Sequence, residues 1–281
     1  MSGKKQLYVI KIGGNIIDDE KKLSNFLEQF ARLDSPLQEP GASGVHKILI
    51  HGGGKLATKL AEQMNIPQQM IDGRRITDAE TLKIVTMVYA GYINKNIVAQ
   101  LQANNCNAIG LCGADGNIIL AHKRKVVSSA SGAGGIDYGF AGDVDAINTS
   151  LLKNIIDQQI AVVMAPITHD QKGQLLNTNA DTIAQEVANA LSALYDVQLI
   201  YSFEKSGVLL DANDDSTVIS SINPAYYQQL KAEQKIFAGM IPKLDNAFAA
   251  LNRGVKKVII GKAEQLTDLI TGKAGTSIVH E

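Results

Sequence analysis

The chain has 281 residues, 45% of them apolar, enough to bury a substantial core as one large α/β unit or as two fused lobes. Its 27 Lys plus Arg against 28 Asp plus Glu leave a formal net charge of −1, so no overall field recruits nucleic acid, an anionic membrane or a polyacidic partner. No run approaches the roughly 18 apolar residues of a membrane span, and the N-terminal stretch lacks the form of a signal peptide. These features predict a cytoplasmic protein whose partners are small molecules or copies of itself.

The first predicted strand, 7–12, ends in Lys11-Ile12-Gly13-Gly14. Two glycines allow close backbone approach there, and the lysine can aim a compact charge at phosphate oxygens; a tight turn with a solvated lysine is the plain alternative. A helix over 20–33 follows, then a surface excursion over 34–45 with two prolines and two glycines.

The second strand, 47–50, runs into His51-Gly52-Gly53-Gly54 and Lys55, which opens a helix over 55–64. Consecutive free N–H groups at a helix N-terminus suit an anion. No Gly-Lys pair here precedes Ser or Thr, so this is not the phosphate loop of the common NTPases. His51 reads as a structural strand-end residue rather than a general base.

Next come Asp72-Gly73-Arg74-Arg75-Ile76-Thr77 and a Thr77-Asp78-Ala79-Glu80 capping box, which predicts a helix over 77–104 with a break and leaves both guanidinium groups in the preceding loop. A strand over 107–111 passes into Gly110-Leu-Cys112-Gly113. Cys106 and Cys112 form neither CxxC nor a metal-ligand cluster and read as packing residues. Residues 123–145 are Ser/Gly-rich without helical period, which predicts a hairpin or flap.

A helix over 149–157 and a strand over 160–164 lead to Asn177-Thr178-Asn179-Ala180-Asp181. Asn179 can cap a helix over 180–194, with Asp181 in its first turn, where a carboxylate also suits the helix dipole without any ligand. After a strand over 197–201, Ser206-Gly207-Val208-Leu209 can offer backbone to a nucleotide or form a plain turn. Helices over 224–231 and 244–252 flank Gly239-Met240-Ile241-Pro242-Lys243, whose lysine in a first helical turn opposes the macrodipole and so suggests an anionic partner. A strand over 257–260 and a helix over 263–270 close the chain. The strand and helix alternation implies an α/β fold, a mainly parallel central sheet inside a three-layer α/β/α sandwich. The working division is an N-terminal lobe, 1–176, and a C-terminal lobe, 177–281, with the sheet running through both.

In order and spacing these motifs resemble the N-acetylglutamate kinases of the amino acid kinase family, from about residue 7 to the C-terminus. Gly110-Leu-Cys-Gly-Ala-Asp-Gly116 and Asp137-Tyr-Gly-Phe-Ala-Gly142 resemble that family's central segment. The resemblance implies that ATP, with Mg2+ bridging its phosphates rather than held by protein ligands, donates a phosphoryl group to the γ-carboxylate of an N-acyl-L-glutamate. Lys11 and Lys243 would neutralise the transferring group, and Asp181 would organise them. Gly52 and Gly53 would hold the acyl-glutamate, with Arg75 and Asn177 on its α-carboxylate. Gly14, the stretch Glu204, Lys205, Ser206, Gly207, Val208 and Leu209, and the stretch Lys235, Ile236 and Phe237 would contact ATP. The lobes would then be acyl-glutamate binding and dimerising, and ATP binding, respectively.

Three departures stand out. Phe203-Glu204-Lys205-Ser206 occupies the place where such kinases carry Ser or Thr followed by Asp. Arg74 stands where an apolar residue is usual, which raises N-succinyl-L-glutamate as an alternative substrate. Only a few residues precede the first strand, whereas arginine-inhibited members carry an additional N-terminal helix; a homodimer without arginine feedback is the expectation. Other kinases of the family fit the arginine loop and Asn-Thr-Asn-Ala-Asp less well. A non-catalytic nucleotide and amino-acid sensor is opposed by the presence of both lysines and Asp181. No GxGxxG follows a strand, which sets aside a dinucleotide oxidoreductase.

Overall fold

The computed structural model describes residues 4–33, 45–71, 74–128, 135–211, 213–236 and 240–281. Residues 34–44 of the expected surface excursion, the Asp72-Gly73 head of the arginine loop, Phe237 and Gly239 lie outside them.

The chain begins β1 (Gln6–Ile12), α1 (Gly14–Ile17), α2 (Glu20–Arg32), β2 (His46–His51) and α3 (Gly54–Gln63). The small hairpin β3 (Gln69–Ile71) and β4 (Arg74–Ile76) leads to α4 (Ala79–Thr86), a π-helical stretch over Met87–Ile93, and α5 (Asn94–Ala103). Then come β5 (Ala108–Leu111), β6 (Ile119–Lys123), β7 (Val127–Ser128), β8 (Gly135–Ile136), β9 (Ala141–Ile147), α6 (Thr149–Ile156), β10 (Ala161–Met164), β11 (Ile167–His169), β12 (Leu175–Thr178) and α7 (Ala180–Leu191). The chain finishes with β13 (Asp196–Phe203), β14 (Ser221–Ile222), α8 (Pro224–Ala232), α9 (Ile241–Asn252), β15 (Lys257–Lys262), α10 (Leu266–Thr271) and β16 (Thr276–Ile278).

The central sheet has eight strands in the order β14-β16-β15-β13-β1-β2-β10-β5, all neighbours parallel except β15 with β16. Strands of a parallel sheet are covered on both faces and therefore read as unbroken apolar runs. Period two sorts them: Leu7, Val9, Ile48, Ile50, Val162, Met164, Val197 and Leu199 face one core with α6, α7, α8 and α9. Ile10, Ile12, Leu49, Val163, Ile200 and Ile259 face the other with α2, α3, α5 and α10. Fully burying each such side chain contributes about 1.5–3 kcal/mol, and the result is the expected three-layer sandwich. The sheet crosses the 176/177 boundary, and β12 spans it.

Among the described residues of 119–147, β6 pairs antiparallel with β9 and β7 with β8, which agrees with the expected hairpin. β6 and β9 close with β11 and β12 into a small four-stranded barrel beside the main sheet. Two expectations needed revision. The break in the 77–104 helix is a π-helical stretch, and the cap of α4 is Asp78, not Thr77: the Asp78 Oδ1 accepts from the Thr81 N–H at 2.7 Å. Thr77 is instead a tether, donating its N–H to Tyr138 O, accepting at its own carbonyl from Phe140 N–H, and bonding through its hydroxyl to Arg75 O and Asn177 Nδ2.

Candidate active site at the carboxyl end of the sheet

β1 leads on to β2 on one side, while β13 feeds β15 on the other, so connections leave in opposite directions above the carboxyl ends of β1 and β13. Ligand crevices of open parallel sheets form at such places. Here a cavity of about 220 Å³ is lined by Lys11, Gly14, Gly52, Gly53, Gly54, Arg74, Arg75, Tyr89, Asn177 and Asp181, among others. A smaller one, about 40 Å³, is lined by Lys11, Asp181, Tyr201, Ser202, Phe203, Lys243, Asn246 and Ile260. Lys11 and Asp181 are common to both.

The walls of the larger cavity follow from backbone chemistry. Gly53 precedes α3 with φ at +146°, and a Cβ there would collide with the Ile93 side chain and come within 3.2 Å of Tyr89, so only glycine fits. Gly52 donates its N–H to Ile12 O at 3.1 Å, bringing the β2 loop against the end of β1. The N-terminal turn of α3 has no side-chain cap, which leaves N–H groups at its mouth for an anion. His51, fully buried below this loop, bonds to Gly52 O and Asn94, and burial holds its pKa down at about 4, so the ring is neutral near pH 7. That fits the structural reading of His51.

Arg75 is only 7% exposed. Its guanidinium donates to Gly54 O and Thr58 Oγ1, both at 2.9 Å, and to Gln68 Oε1, which ties the β3–β4 hairpin to the start of α3. Burial raises the Tyr89 hydroxyl pKa, with Arg75 partly offsetting it. Asn177 on β12 faces the same cavity with its amide on Thr77. Arg74 also lines it, half-buried, its pKa lowered by desolvation and then by neighbouring Arg124, with Asp143 opposing. Arg124 is itself paired with Asp143.

Where the cavities meet, Lys11 Nζ and Asp181 form an ion pair at 2.8 Å. Asp181 is held by α7, whose N-terminus is capped as expected by Asn179, accepting from Asp181 N–H and Thr182 N–H at 2.8 and 3.1 Å. Lys243, in the first turn of α9, lines the smaller cavity with its ammonium 4.6 Å from the Phe203 ring centroid. Burial, reinforced by Asp181 and Glu186, keeps the Tyr201 hydroxyl protonated far above its ordinary range.

Among the described residues, the remaining sequence-predicted contacts line neither cavity. Ser206 bonds to Asp215, Val208 is a core residue whose N–H goes to Thr276 Oγ1, and Leu209 bridges Val218. Glu204 and Lys205 are exposed beyond β13, Lys235 pairs with Glu233, and Ile236 is buried. Conversely, Tyr89, Tyr201, Phe203 and Asn246 line the cavities without having been singled out as contacts. Among the described residues no group of three or more His, Cys, Asp or Glu could hold a metal ion, and no helix is long and apolar enough to cross a membrane.

The family model "Amino acid kinase family" matches residues 6–262. The acetylglutamate kinase of Cytophaga hutchinsonii is 53% identical over 276 residues, 98% of each chain. That of Bacteroides fragilis is 52% identical over 263 residues, 94% of each chain. Among solved structures, N-acetylglutamate synthase from Neisseria gonorrhoeae superposes with a TM-score of 0.78 at 22% identity, over 99% of this chain and 60% of that one, a likeness of fold alone. The chain belongs to the amino acid kinase family, with acetylglutamate kinases as relatives along nearly its whole length.

Proposed function

We propose that this kinase transfers the γ-phosphoryl group of MgATP to the side-chain carboxylate of N-acetyl-L-glutamate, giving N-acetyl-L-glutamyl 5-phosphate and ADP, the second step of arginine biosynthesis. The observation that carries the reading is the junction of a glycine-walled cavity and a lysine-bearing one at a single Lys11–Asp181 pair. One side accommodates an anionic acceptor and the other a phosphate chain.

The acceptor's side-chain carboxylate, with an ordinary pKa near 4.3, is ionised at neutral pH and needs no general base. Its oxygen attacks the γ-phosphorus as the bond to the bridging oxygen breaks, and the negative charge leaves on ADP. Catalysis of this kind is positioning and electrostatic stabilisation. Lys11 and Lys243 neutralise the equatorial oxygens, and Asp181 fixes Lys11. Gly52, Gly53 and the uncapped start of α3 hold the acceptor end, and Arg75 with Asn177 binds the α-carboxylate. Magnesium enters with ATP. Gly14, residues 204–209 and 235–237 form the nucleotide side, so 1–176 serves the acyl-glutamate and 177–281 serves ATP. The enzyme works in the cytoplasm as a homodimer, by analogy with its family.

The relatives described above are named for the acetylated substrate, which favours it over the succinylated alternative raised by Arg74. The assembled lysines and Asp181 weigh against a non-catalytic sensor. The test is hydroxylamine trapping: an acyl phosphate formed from N-acetyl-L-glutamate and MgATP gives the γ-hydroxamate. ADP release without hydroxamate would mean hydrolysis of ATP and would sink the reading.

A further inference from the structure

Lys11 and Lys243 flank the same cavity, yet they are held by opposite means. The Lys11 ammonium is paired with the Asp181 carboxylate at 2.8 Å. Among the described residues Lys243 has no carboxylate within salt-bridge distance; its ammonium lies 4.6 Å from the centroid of the Phe203 ring. Its backbone position does not favour it, because a cation in the first turn of α9 sits at the positive end of the helix dipole. An aromatic face attracts an ammonium without neutralising it.

Phe203 is well placed for this. It is the last residue of β13, registered opposite Lys262 of β15 and half-buried against the core on the α7 and α9 side. A strand end packed in this way fixes the ring, and the ring restricts a long side chain that would otherwise sample many rotamers. Phe203 also opens the Phe203-Glu204-Lys205-Ser206 stretch that departs from the resemblance drawn in the sequence.

We propose that Phe203 is a positioning residue that holds the Lys243 ammonium over its ring and keeps it, with its full charge, at the cavity shared with Lys11 and Asp181. The proposal rests on the reading that this cavity receives the phosphates of ATP. Lys11 then contributes a cation partly neutralised by Asp181, and Lys243 an unpaired one held at the same cavity. Phe203 acts through Lys243 and does not itself contact the nucleotide.

The experiment is a calorimetric titration of the full-length chain with MgATP, without acceptor, for wild type, Phe203→Leu, Phe203→Tyr, Lys243→Met and the Phe203→Leu/Lys243→Met double variant. Phe203→Met is included in case the leucine variant does not fold, and thermal unfolding is followed for each. Loss of an exposed cation–π contact should weaken binding about two- to fivefold in Phe203→Leu. Phe203→Tyr, which keeps the ring, should bind as wild type, and the double variant should be no weaker than Lys243→Met. Additive losses in the double variant would mean that the ring touches the nucleotide directly, and unchanged binding in Phe203→Leu and Phe203→Met would mean that it is packing only; either result overturns the proposal. Wild-type protein that binds MgATP but yields no hydroxamate from N-acetyl-L-glutamate would remove the acceptor assignment while leaving this comparison readable. Failure of wild type to bind MgATP would overturn both.

Discussion

The two ends of the central sheet use similar residues for different purposes. At the amino end, Asp157 gathers His46 at 3.3 Å, Lys5 at 3.4 Å, the Tyr195 hydroxyl at 3.0 Å, and Lys153. These come from the start of β2, the approach to β1, the approach to β13, and α6, so the cluster ties together the feet of neighbouring elements. At the carboxyl end, Lys11 is paired with Asp181, Lys243 rests on a ring, and the loops after β1 and β2 expose glycine backbone. At the first end one carboxylate collects several partners; at the second, among the described residues, Lys243 has no carboxylate within salt-bridge distance. The sheet separates these two clusters along the length of its strands.

That separation can be broken in order of expected effect. Lys11→Ala should lower kcat by about 10²–10³-fold, the usual loss when one preorganised charge-stabilising group is removed, while urea unfolding changes by no more than about 1 kcal/mol, since the pair is partly open to solvent through the Asp181 side chain, 40% exposed, and screened ion pairs are worth little to stability. A matching loss of stability would show that the carboxyl end is also structural. Gly53→Ala should damage both properties. The positive φ and the clash with Ile93 predict a destabilisation of about 1–3 kcal/mol, and the displaced α3 mouth should raise the KM for the acceptor more than that for ATP.

The amino end predicts the reverse pattern. The hydrogen bond from Lys153, with Tyr195 and Lys5 adding to it, holds the Asp157 pKa down at about 2 against the opposing effect of burial. A carboxylate with a depressed folded-state pKa stabilises above its unfolded value near 3.9, and that contribution is lost as pH falls through about 2. Asp157→Asn should therefore flatten the acid-unfolding curve between about pH 4 and pH 2 and leave kcat unchanged at pH 7. A second pH-dependent effect is expected at His51, whose folded-state pKa is lowered to about 4. The unfolded chain, with a value near 6.5, binds the proton first, so this group favours the folded state at higher pH and loses that contribution as pH falls from 6.5 to 4. His51→Gln should reduce the slope of stability in that window, as measured by urea titrations at several pH values, and an unaltered slope would contradict the assignment.

How much of this could be read from the sequence depends on length of element and on distance along the chain. β1, β2, β10, β13 and β15 announce themselves because burial on both faces leaves apolar runs such as Val9-Ile10, Ile48-Leu49-Ile50, Ala161-Val162-Val163-Met164, Leu199-Ile200 and Val258-Ile259-Ile260. β11, β14 and β16 are two or three residues long, too short to carry a period. In the site, Lys11, Gly53 and Asp181 were legible because glycine clusters and a cap mark strand-to-helix junctions. Thr77 illustrates the limit: a capping box and a tether share the same letters, and only the approach of Tyr138 and Asn177 from distant sequence decides between them. Tyr89 gives no local signal either, since an aromatic in a helix reads as core, and Phe203 stands out in the sequence only as a departure from the resemblance, not as a contact. Gly207 can offer backbone to a nucleotide or form a plain turn, and packing asks for glycine there in either case, since a Cβ would lie 2.6 Å from both Thr276 Oγ1 and Val218 Cγ2.

The most direct measurement of the central claim is coupled ADP release with MgATP, comparing N-acetyl-L-glutamate, N-succinyl-L-glutamate and free L-glutamate in wild type, Lys11→Ala and Lys243→Ala. The account predicts turnover of N-acetyl-L-glutamate above the other two, and its loss in both variants with the fold intact. Preference for free or succinylated glutamate, or turnover that survives removal of either lysine, would contradict it.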